Sequence, residues 1–173
     1  MKRIIIVLLI LAVFINFSSC EKDDICVDGD TPFLIVGFYD AEDTTEFKEV
    51  TSLRLISINN DSIFSSDDFT DQSTVSDSIL IPLQIEEANT TYAFIFDSDG
   101  DDEALEETGN IDTLGFSYTL SEEFVSRACG FVANYNELDT IRTISDNDWI
   151  NRISIIEENI TNNSNTIHVK IFH

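Results

Sequence analysis

Apolar and polar residues alternate along much of this chain, and the alternation predicts β-strands. The clearest case has apolar side chains at Leu114, Phe116, Tyr118 and Leu120, separated by glycine or hydroxyl-bearing residues. Successive side chains of a strand point to opposite faces, so a period of two marks a strand that is buried on one face. These four side chains are therefore predicted to face the core.

Two further segments are predicted to be strands, one buried on a single face and the other on both faces. Ile167–Phe172 also alternates, and its branched apolar residues are predicted to face the core while His168 faces outward. Phe33–Phe38 is apolar on both faces, which is typical of a central strand covered on each side. One segment, Ser121–Ala128, indicates a helix, with Ser121 as N-cap and Gly130 beyond its end. It fits equally well as a bulged strand carrying Cys129.

Short apolar segments separated by Asp, Asn, Ser and Gly clusters define the predicted architecture. We expect strands at Pro32–Tyr39, Val50–Ile58, Ser78–Ile85, Thr91–Phe96, Asp112–Leu120, Arg152–Ile156 and Thr166–Phe172. Many short strands with almost no helix predict an all-β fold, a single antiparallel β-sandwich, with a β-barrel as the alternative.

The first nineteen residues have the layout of a cleavable export signal. A basic start, Met1–Arg3, precedes twelve apolar residues, Ile4–Ile15, and then a polar stretch of small residues. A membrane-spanning helix needs about 20 apolar residues, so a permanent transmembrane segment is disfavoured. Residues 1–19 are therefore predicted to be a signal peptide that is removed.

The end of this signal resembles a bacterial lipobox. Phe17-Ser18-Ser19-Cys20 places an apolar residue and two small ones before a cysteine, although Leu at the first position and Gly or Ala before the cysteine are commoner. The resemblance implies that Cys20 is acylated and becomes the first residue of the mature protein. The alternative is a plain secretory signal with a chance cysteine. Residues 20–30 would then form an acidic tether, and residues 31–173 the β-sandwich domain.

The charge of the chain limits the partners it can have. The 173 residues include 33 acidic and 9 basic ones, which gives a formal net charge of −24. Loss of Lys2 and Arg3 with the signal leaves seven basic residues and a charge of −26. Such a surface repels phosphate backbones, so nucleic-acid binding is excluded, whereas 13 Phe residues show that the chain is no disordered acidic tail.

The cysteine count suggests one disulfide. If lipid occupies Cys20, an exported chain retains only Cys26 and Cys129. Oxidising compartments favour their pairing, although two buried thiols or a metal pair remain alternatives, because sequence does not give the distance between them.

Several segments together resemble a family of small, uncharacterised lipoproteins of Bacteroidota that is defined only as a domain of unknown function. The resemblance rests on Cys20–Cys26, Gly37–Asp40, Asp112–Tyr118, Val125–Phe131, Trp149-Ile150 and His168–Phe172. It implies membrane attachment and a compact β-domain, and it supplies no activity. Glu21-Lys22-Asp23-Asp24 is similar to the acidic signal that sends such lipoproteins to the outer membrane and its surface, although a flexible linker has the same composition.

An acidic turn carries the one hint of metal chemistry. Asp97, Asp99 and Asp101 are alternate carboxylates that could converge on Ca²⁺. The loop departs from an EF-hand, because Asp102 replaces the turn glycine and Thr108 the bidentate glutamate. A solvated acidic turn is the alternative reading.

Catalytic machinery is hard to assemble from this sequence. Its two histidines are His168 and His173, and no nucleophile elbow, zinc-protease motif or phosphate loop is present. We expect Arg127 to be buried against an acidic partner and Trp149 to anchor the core.

The combined interpretation is a lipid-anchored, non-catalytic cell-envelope protein of unknown molecular function, in binding or assembly, with a protein or glycan partner. We expect an outer-membrane lipoprotein that is acylated with palmitate-type chains. The alternative function is a calcium-dependent carbohydrate-binding or adhesion module, and an enzyme ranks third.

Overall fold

The computed structural model describes residues 31–100, 108–143, 148–161 and 166–173, and its regular structure is entirely β-strand. The strands are β1 (Leu34–Tyr39), β2 (Val50–Ser57), β3 (Ser62–Ile63), β4 (Ser73–Val75), β5 (Ser78–Ile81), β6 (Asn89–Phe96), β7 (Asn110–Ser126), β8 (Gly130–Thr143), β9 (Arg152–Ile155) and β10 (Val169–Phe172). All seven strands expected from the alternation are present. In these ranges no helix is long and apolar enough to span a membrane.

The strands form two packed sheets, and this confirms the predicted β-sandwich. The smaller sheet has the order β5-β1-β10-β9, and the larger has β3-β2-β6-β7-β8, with β4 pairing along β2. Neither sheet closes on itself within the described ranges. All pairings are antiparallel except that of β1 with β10, which run parallel from Val36 opposite Val169 to Tyr39 opposite Phe172.

The core lies between the sheets and follows the predicted alternation. Leu114, Phe116 and Tyr118 of β7 are buried, and Leu120 packs against the core at its margin. β1 lies between β5 and β10 in the smaller sheet, and side chains on both of its faces are buried, as its apolar sequence predicts.

Trp149 lies in the core, as predicted. Its indole stacks near Phe38 and Phe96, and its Nε1 donates a hydrogen bond to the carbonyl oxygen of Phe94 at 3.1 Å. Trp149 therefore joins the segment before β9 to both sheets.

The helix predicted at Ser121–Ala128 is wrong, because this segment continues β7 as a strand. Residues from Thr119 to Phe124 pair with β8 in continuous antiparallel register, and the pairing shifts between Phe124 and Ser126. The alternative reading as a bulged strand is the correct one, although Cys129 lies in the turn after the strand. Cross-strand hydrogen bonds outweigh the weak helical preference of eight residues.

The outward orientation predicted for His168 is also wrong, since its side chain is fully buried. The residue precedes β10, and its backbone and its ring both bond to Ile35: the backbone N–H donates to the carbonyl oxygen of Ile35, and Nδ1 accepts from the N–H of Ile35, each at 3.0 Å. Burial lowers the pKa of His168 below its ordinary value. The ring is thus held neutral.

We expect acid to destabilise the fold through His168. Protonated Nδ1 cannot accept a hydrogen bond from the N–H of Ile35. The unfolded chain therefore protonates His168 near the ordinary histidine pKa of about 6.5, whereas the folded protein protonates it only at a lower pH. Stability from this group is present above that value and is lost as the pH falls through the lowered pKa. Urea unfolding at pH 7.5 and 5.5 should show a smaller loss in His168→Asn than in wild type. His173 and Asp112 titrate in both proteins, so equal losses would contradict the assignment.

Candidate functional site

The most prominent surface feature is the long hairpin of β7 and β8, whose end we call the hairpin tip (residues 121–133). Tyr135 is the last fully buried residue of β8 before the tip, and its ring packs edge-on against Tyr118 at 4.9 Å. Phe131 lies four residues nearer the turn, about 13 Å further along the strand. The hairpin therefore extends past the sandwich core.

Two aromatic side chains stand exposed at this tip. Phe124 and Phe131 are directly opposite each other in the strand pairing, with exposed fractions of 55% and 66%. Their rings meet edge to face with centroids 5.3 Å apart. Leu120 and Tyr135 are paired in the same register, four residues from the two phenylalanines. Phe124 and Phe131 therefore lie on the same face of the hairpin as Leu120 and Tyr135, which pack on the core. They form an apolar pair that the opposite sheet does not cover.

The turn that closes the hairpin has a local sequence explanation. Gly130 has φ of +73°, a left-handed conformation that glycine adopts without strain, and a Cβ there would meet no atom within 4 Å. The N–H of Cys129 donates to the Ser126 hydroxyl at 3.1 Å, which stabilises the turn. Arg127 is exposed in this turn, so the prediction that it is buried against an acidic partner is wrong.

The hairpin tip also carries exposed acidic side chains. Glu122 and Glu123 are exposed, and the carboxylate of Glu123 accepts a hydrogen bond from Asn134 Nδ2 at 2.9 Å. Glu123 alternates with Phe124 along β7, so it lies on the opposite face of the hairpin. Glu122 lies two residues before Phe124 and therefore on the face of the aromatic pair. Glu123 shares the opposite face with the buried Val132, its partner in the strand pairing.

The described chain begins at the same end of the sandwich as the hairpin tip. The hydroxyl of Tyr135 donates to the carbonyl oxygen of Leu83 at 3.0 Å, and Leu83 in turn lines a small cavity beside the first described residues. This cavity, of about 260 Å³, is formed by Thr31, Pro32, Phe33, Pro82, Leu83 and Ile85. The segment that precedes Thr31 therefore joins the domain at the end from which the hairpin extends.

A second, polar groove of about 430 Å³ adjoins this cavity along Leu83 and Ile85. Amide and carboxylate side chains dominate it, namely Asn59, Asn60, Gln84, Glu86 and Glu87. The Asn59 side chain is fixed by a hydrogen bond from the backbone N–H of Thr91 at 2.8 Å. Such a groove can form hydrogen bonds to a polar ligand.

The acidic turn is fixed to β2 through its backbone, and its described carboxylates point to solvent. Ser98 and Gly100 are buried, whereas Asp97 and Asp99 are exposed. The Gly100 carbonyl accepts from Arg54 Nη2 at 3.0 Å and from Gln72 Nε2 at 2.8 Å. In the part of the chain that the structure describes, no three acidic, His or Cys side chains converge on a metal position. Asp101 lies outside that part, so the three-ligand calcium site stays a prediction.

The predicted lipidation and disulfide also involve residues beyond the described ranges. Cys20, Cys26, the signal peptide of residues 1–19 and the tether of residues 20–30 all precede Thr31. Cys129 is described and lies half-buried in the hairpin turn, at the end of the domain that residue 31 occupies. Sequence reasoning missed Phe124 and Phe131 as surface residues because they lay in and beside the expected helix.

Two carboxylates and an arginine form the main buried charge cluster among the described residues. Asp112 Oδ2 accepts from the N–H of Ile150 at 2.8 Å, and Oδ1 lies 3.6 Å from Arg142 Nη2. The same guanidinium also bonds to the Asp148 carboxylate. Burial raises the pKa of Asp112. The cluster borders none of the grooves, and it joins the segment before β9 to β7 and β8, so we assign it a structural role.

Comparison with known proteins identifies a family and no activity. A family model described as "Family of unknown function (DUF6452)" matches residues 52–173, which include β3 to β10 and most of β2. No curated protein and no solved structure matches the chain. The expected resemblance to a domain of unknown function is confirmed at this level.

Proposed function

Because the chain belongs to the family of unknown function DUF6452, which assigns no activity, we propose a function from the chain's own residues. The protein is a lipid-anchored, non-catalytic component of the cell envelope that acts in binding or assembly. Its lipid is attached at Cys20, and its membrane is the outer membrane of a Bacteroidota-type envelope. The partner is an envelope protein or glycan.

One observation supports this proposal above the others. The described chain begins at Thr31 at the same end of the sandwich as the exposed pair Phe124 and Phe131. An anchor at Cys20 therefore lies only eleven residues before Thr31, at the end of the domain that carries the exposed pair. Scattered apolar residues are ordinary on protein surfaces, whereas two aromatic rings in contact on a projecting hairpin are typical of an interaction site.

Metabolic labelling with radioactive palmitate tests the anchor directly. The full chain, expressed in a bacterium that processes lipoproteins, is expected to carry the label and to leave the membrane pellet only in detergent. Cys26→Ala is the matched control and should keep the label, because only Cys20 follows the apolar run. An unlabelled wild-type chain would contradict the proposal.

We further propose that Cys26 and Cys129 form a disulfide that fixes the tether to the hairpin turn. Cys26 lies five residues before Thr31, so extended backbone can reach about 17 Å from that residue toward the hairpin. Closing a loop of about 100 residues stabilises the fold by roughly 4 to 5 kcal/mol in the chain-entropy model.

Thiol labelling of the unreduced, denatured mature protein tests this bridge. Neither Cys26 nor Cys129 is expected to react until a reductant is added, and reduction should also lower the melting temperature. In Cys26→Ser the Cys129 thiol should become reactive without reductant. Complete labelling of both cysteines in unreduced wild type would show that they are not bridged.

A further inference from the structure

We propose that the hairpin tip binds a bilayer of zwitterionic phospholipid, with Phe124 and Phe131 inserted at the level of the headgroups. The inference rests on the proposed function, since the bilayer is the one that holds the acyl chains of Cys20. The domain would then contact the membrane at two places, through its lipid and through its aromatic tip.

The geometry of the tip fits an insertion site. Phe124 and Phe131 protrude beyond the sandwich on one face, with their rings in contact and more than half of each side chain exposed. Transfer of such rings from water into an apolar environment is favourable, and aromatic side chains are suited to the boundary between water and lipid. The paired strands behind the rings satisfy the backbone hydrogen bonds as far as Phe124 opposite Phe131.

The short stretch of chain between Cys20 and Thr31 favours lipid as the partner of the hairpin tip, because it keeps the tip near the bilayer. Thr31 lies eleven positions after Cys20, and this stretch of chain spans at most about 40 Å when fully extended. Thr31 and the hairpin lie at the same end of the domain, so the anchor holds this end toward the bilayer. Two linked attachments raise the effective concentration of the second, and a weak insertion of the tip is then sufficient.

The charges around the tip select the kind of lipid. Glu122 and Glu123 are exposed beside the aromatic pair, and the mature chain carries a charge of −26. Anionic headgroups would repel this surface, whereas zwitterionic headgroups carry no net charge. The insertion should therefore be strongest in phosphatidylcholine and weaker in bilayers that contain anionic lipid.

Tryptophan fluorescence of the lipidated full-length mature protein in phosphatidylcholine vesicles tests this inference. Phe131→Trp places a reporter at the tip, and Phe124→Trp provides a second one. Phe47→Trp is the matched control, because Phe47 is also a half-exposed phenylalanine but lies beside Tyr39 at the opposite end of β1. The unsubstituted chain gives the background from the buried Trp149. Each protein is titrated with brominated phosphatidylcholine and, separately, with iodide in the aqueous phase.

We expect brominated lipid to cause a several-fold loss of emission from either tip reporter and no loss from Phe47→Trp, with iodide giving the reverse pattern. Added phosphatidylglycerol should reduce the loss at the tip. Tip reporters that iodide quenches and brominated lipid does not would overturn the inference.

Resistance to both quenchers would also overturn it, because the tether or a second copy of the chain would then cover the tip. Co-flotation with the vesicles is measured in the same samples. A wild-type protein that does not float would overturn the proposed function together with this inference, whereas flotation without lipid quenching would overturn this inference alone.

Discussion

Replacement of Cys20 by alanine is expected to move the protein out of the membrane fraction almost completely. Each buried methylene of an acyl chain contributes about 0.8 kcal/mol, so two or three chains hold a domain of this size at a bilayer. The aromatic tip alone cannot replace the acyl chains, because two phenylalanine side chains bury far less apolar surface in the bilayer than two or three acyl chains do. Sedimentation after salt and carbonate washing measures the effect, with immunoblotting of pellet and supernatant.

The matched control for this experiment is Cys26→Ala, which removes a nearby cysteine and leaves the predicted acylation site intact. It should remain in the pellet until detergent is added. If Cys20→Ala stays in the washed membranes to the same extent as the control, the protein is held there by something other than lipid, and the lipoprotein assignment fails.

Replacement of Arg142 by methionine is expected to destabilise the fold by about 3 kcal/mol or more, because it leaves buried carboxylates without their cation. The Asp112 side chain is fully buried and that of Asp148 is 9% exposed, so solvent cannot replace the guanidinium. Chemical unfolding of the purified domain measures the loss. Arg127→Met, the same substitution in the exposed hairpin turn, should change the unfolding free energy by no more than about 0.5 kcal/mol.

The loss in Arg142→Met should also depend on pH in a direction that the burial of Asp112 determines. Burial already raises the pKa of Asp112, and removal of Arg142 raises it further. A folded-state pKa above the unfolded value means that the folded protein binds the extra proton, so stability falls as the pH rises through that interval. The deficit relative to wild type should therefore be larger at pH 8 than at pH 5. A deficit independent of pH would indicate lost packing around the Arg142 side chain instead.

The accuracy of the sequence interpretation depended on how regular each strand is. Leu114, Phe116 and Tyr118 were correctly assigned to the core because β7 is unbroken there and one of its faces is buried. No strand was predicted for β8, whose apolar residues are interrupted by Asn and Glu and whose alternation shifts at a bulge where Glu137 has φ of +55°. Because β8 was missed, Ser121–Ala128 had no predicted partner strand, and a helix stayed as plausible as a bulged strand.

The candidate site depends on tertiary relations that alternation does not encode. Phe124 and Phe131 are seven residues apart, and only the hairpin brings their rings into contact. His168 lies one residue before β10, where the strand alternation does not yet apply, and its ring is held by Ile35 from the start of the domain. Long-range pairing of this kind is invisible in a local pattern of polar and apolar residues.

The parallel pairing of β1 with β10 fixes the order in which the domain can be completed. The hydrogen-bonded residues Ile35 and His168 are 133 positions apart. β1 therefore cannot pair with β10 until nearly the whole chain has been made. A chain that crosses a membrane amino end first would deliver β1 early and β10 late, and until then Val36 and Phe38 lack Val169 and Ile171 beside them. Closing so large a loop is slow, so we expect the pairing of β1 with β10 to form late. If the chain is exported as proposed, this topology delays completion of the smaller sheet until the last strand has crossed the membrane.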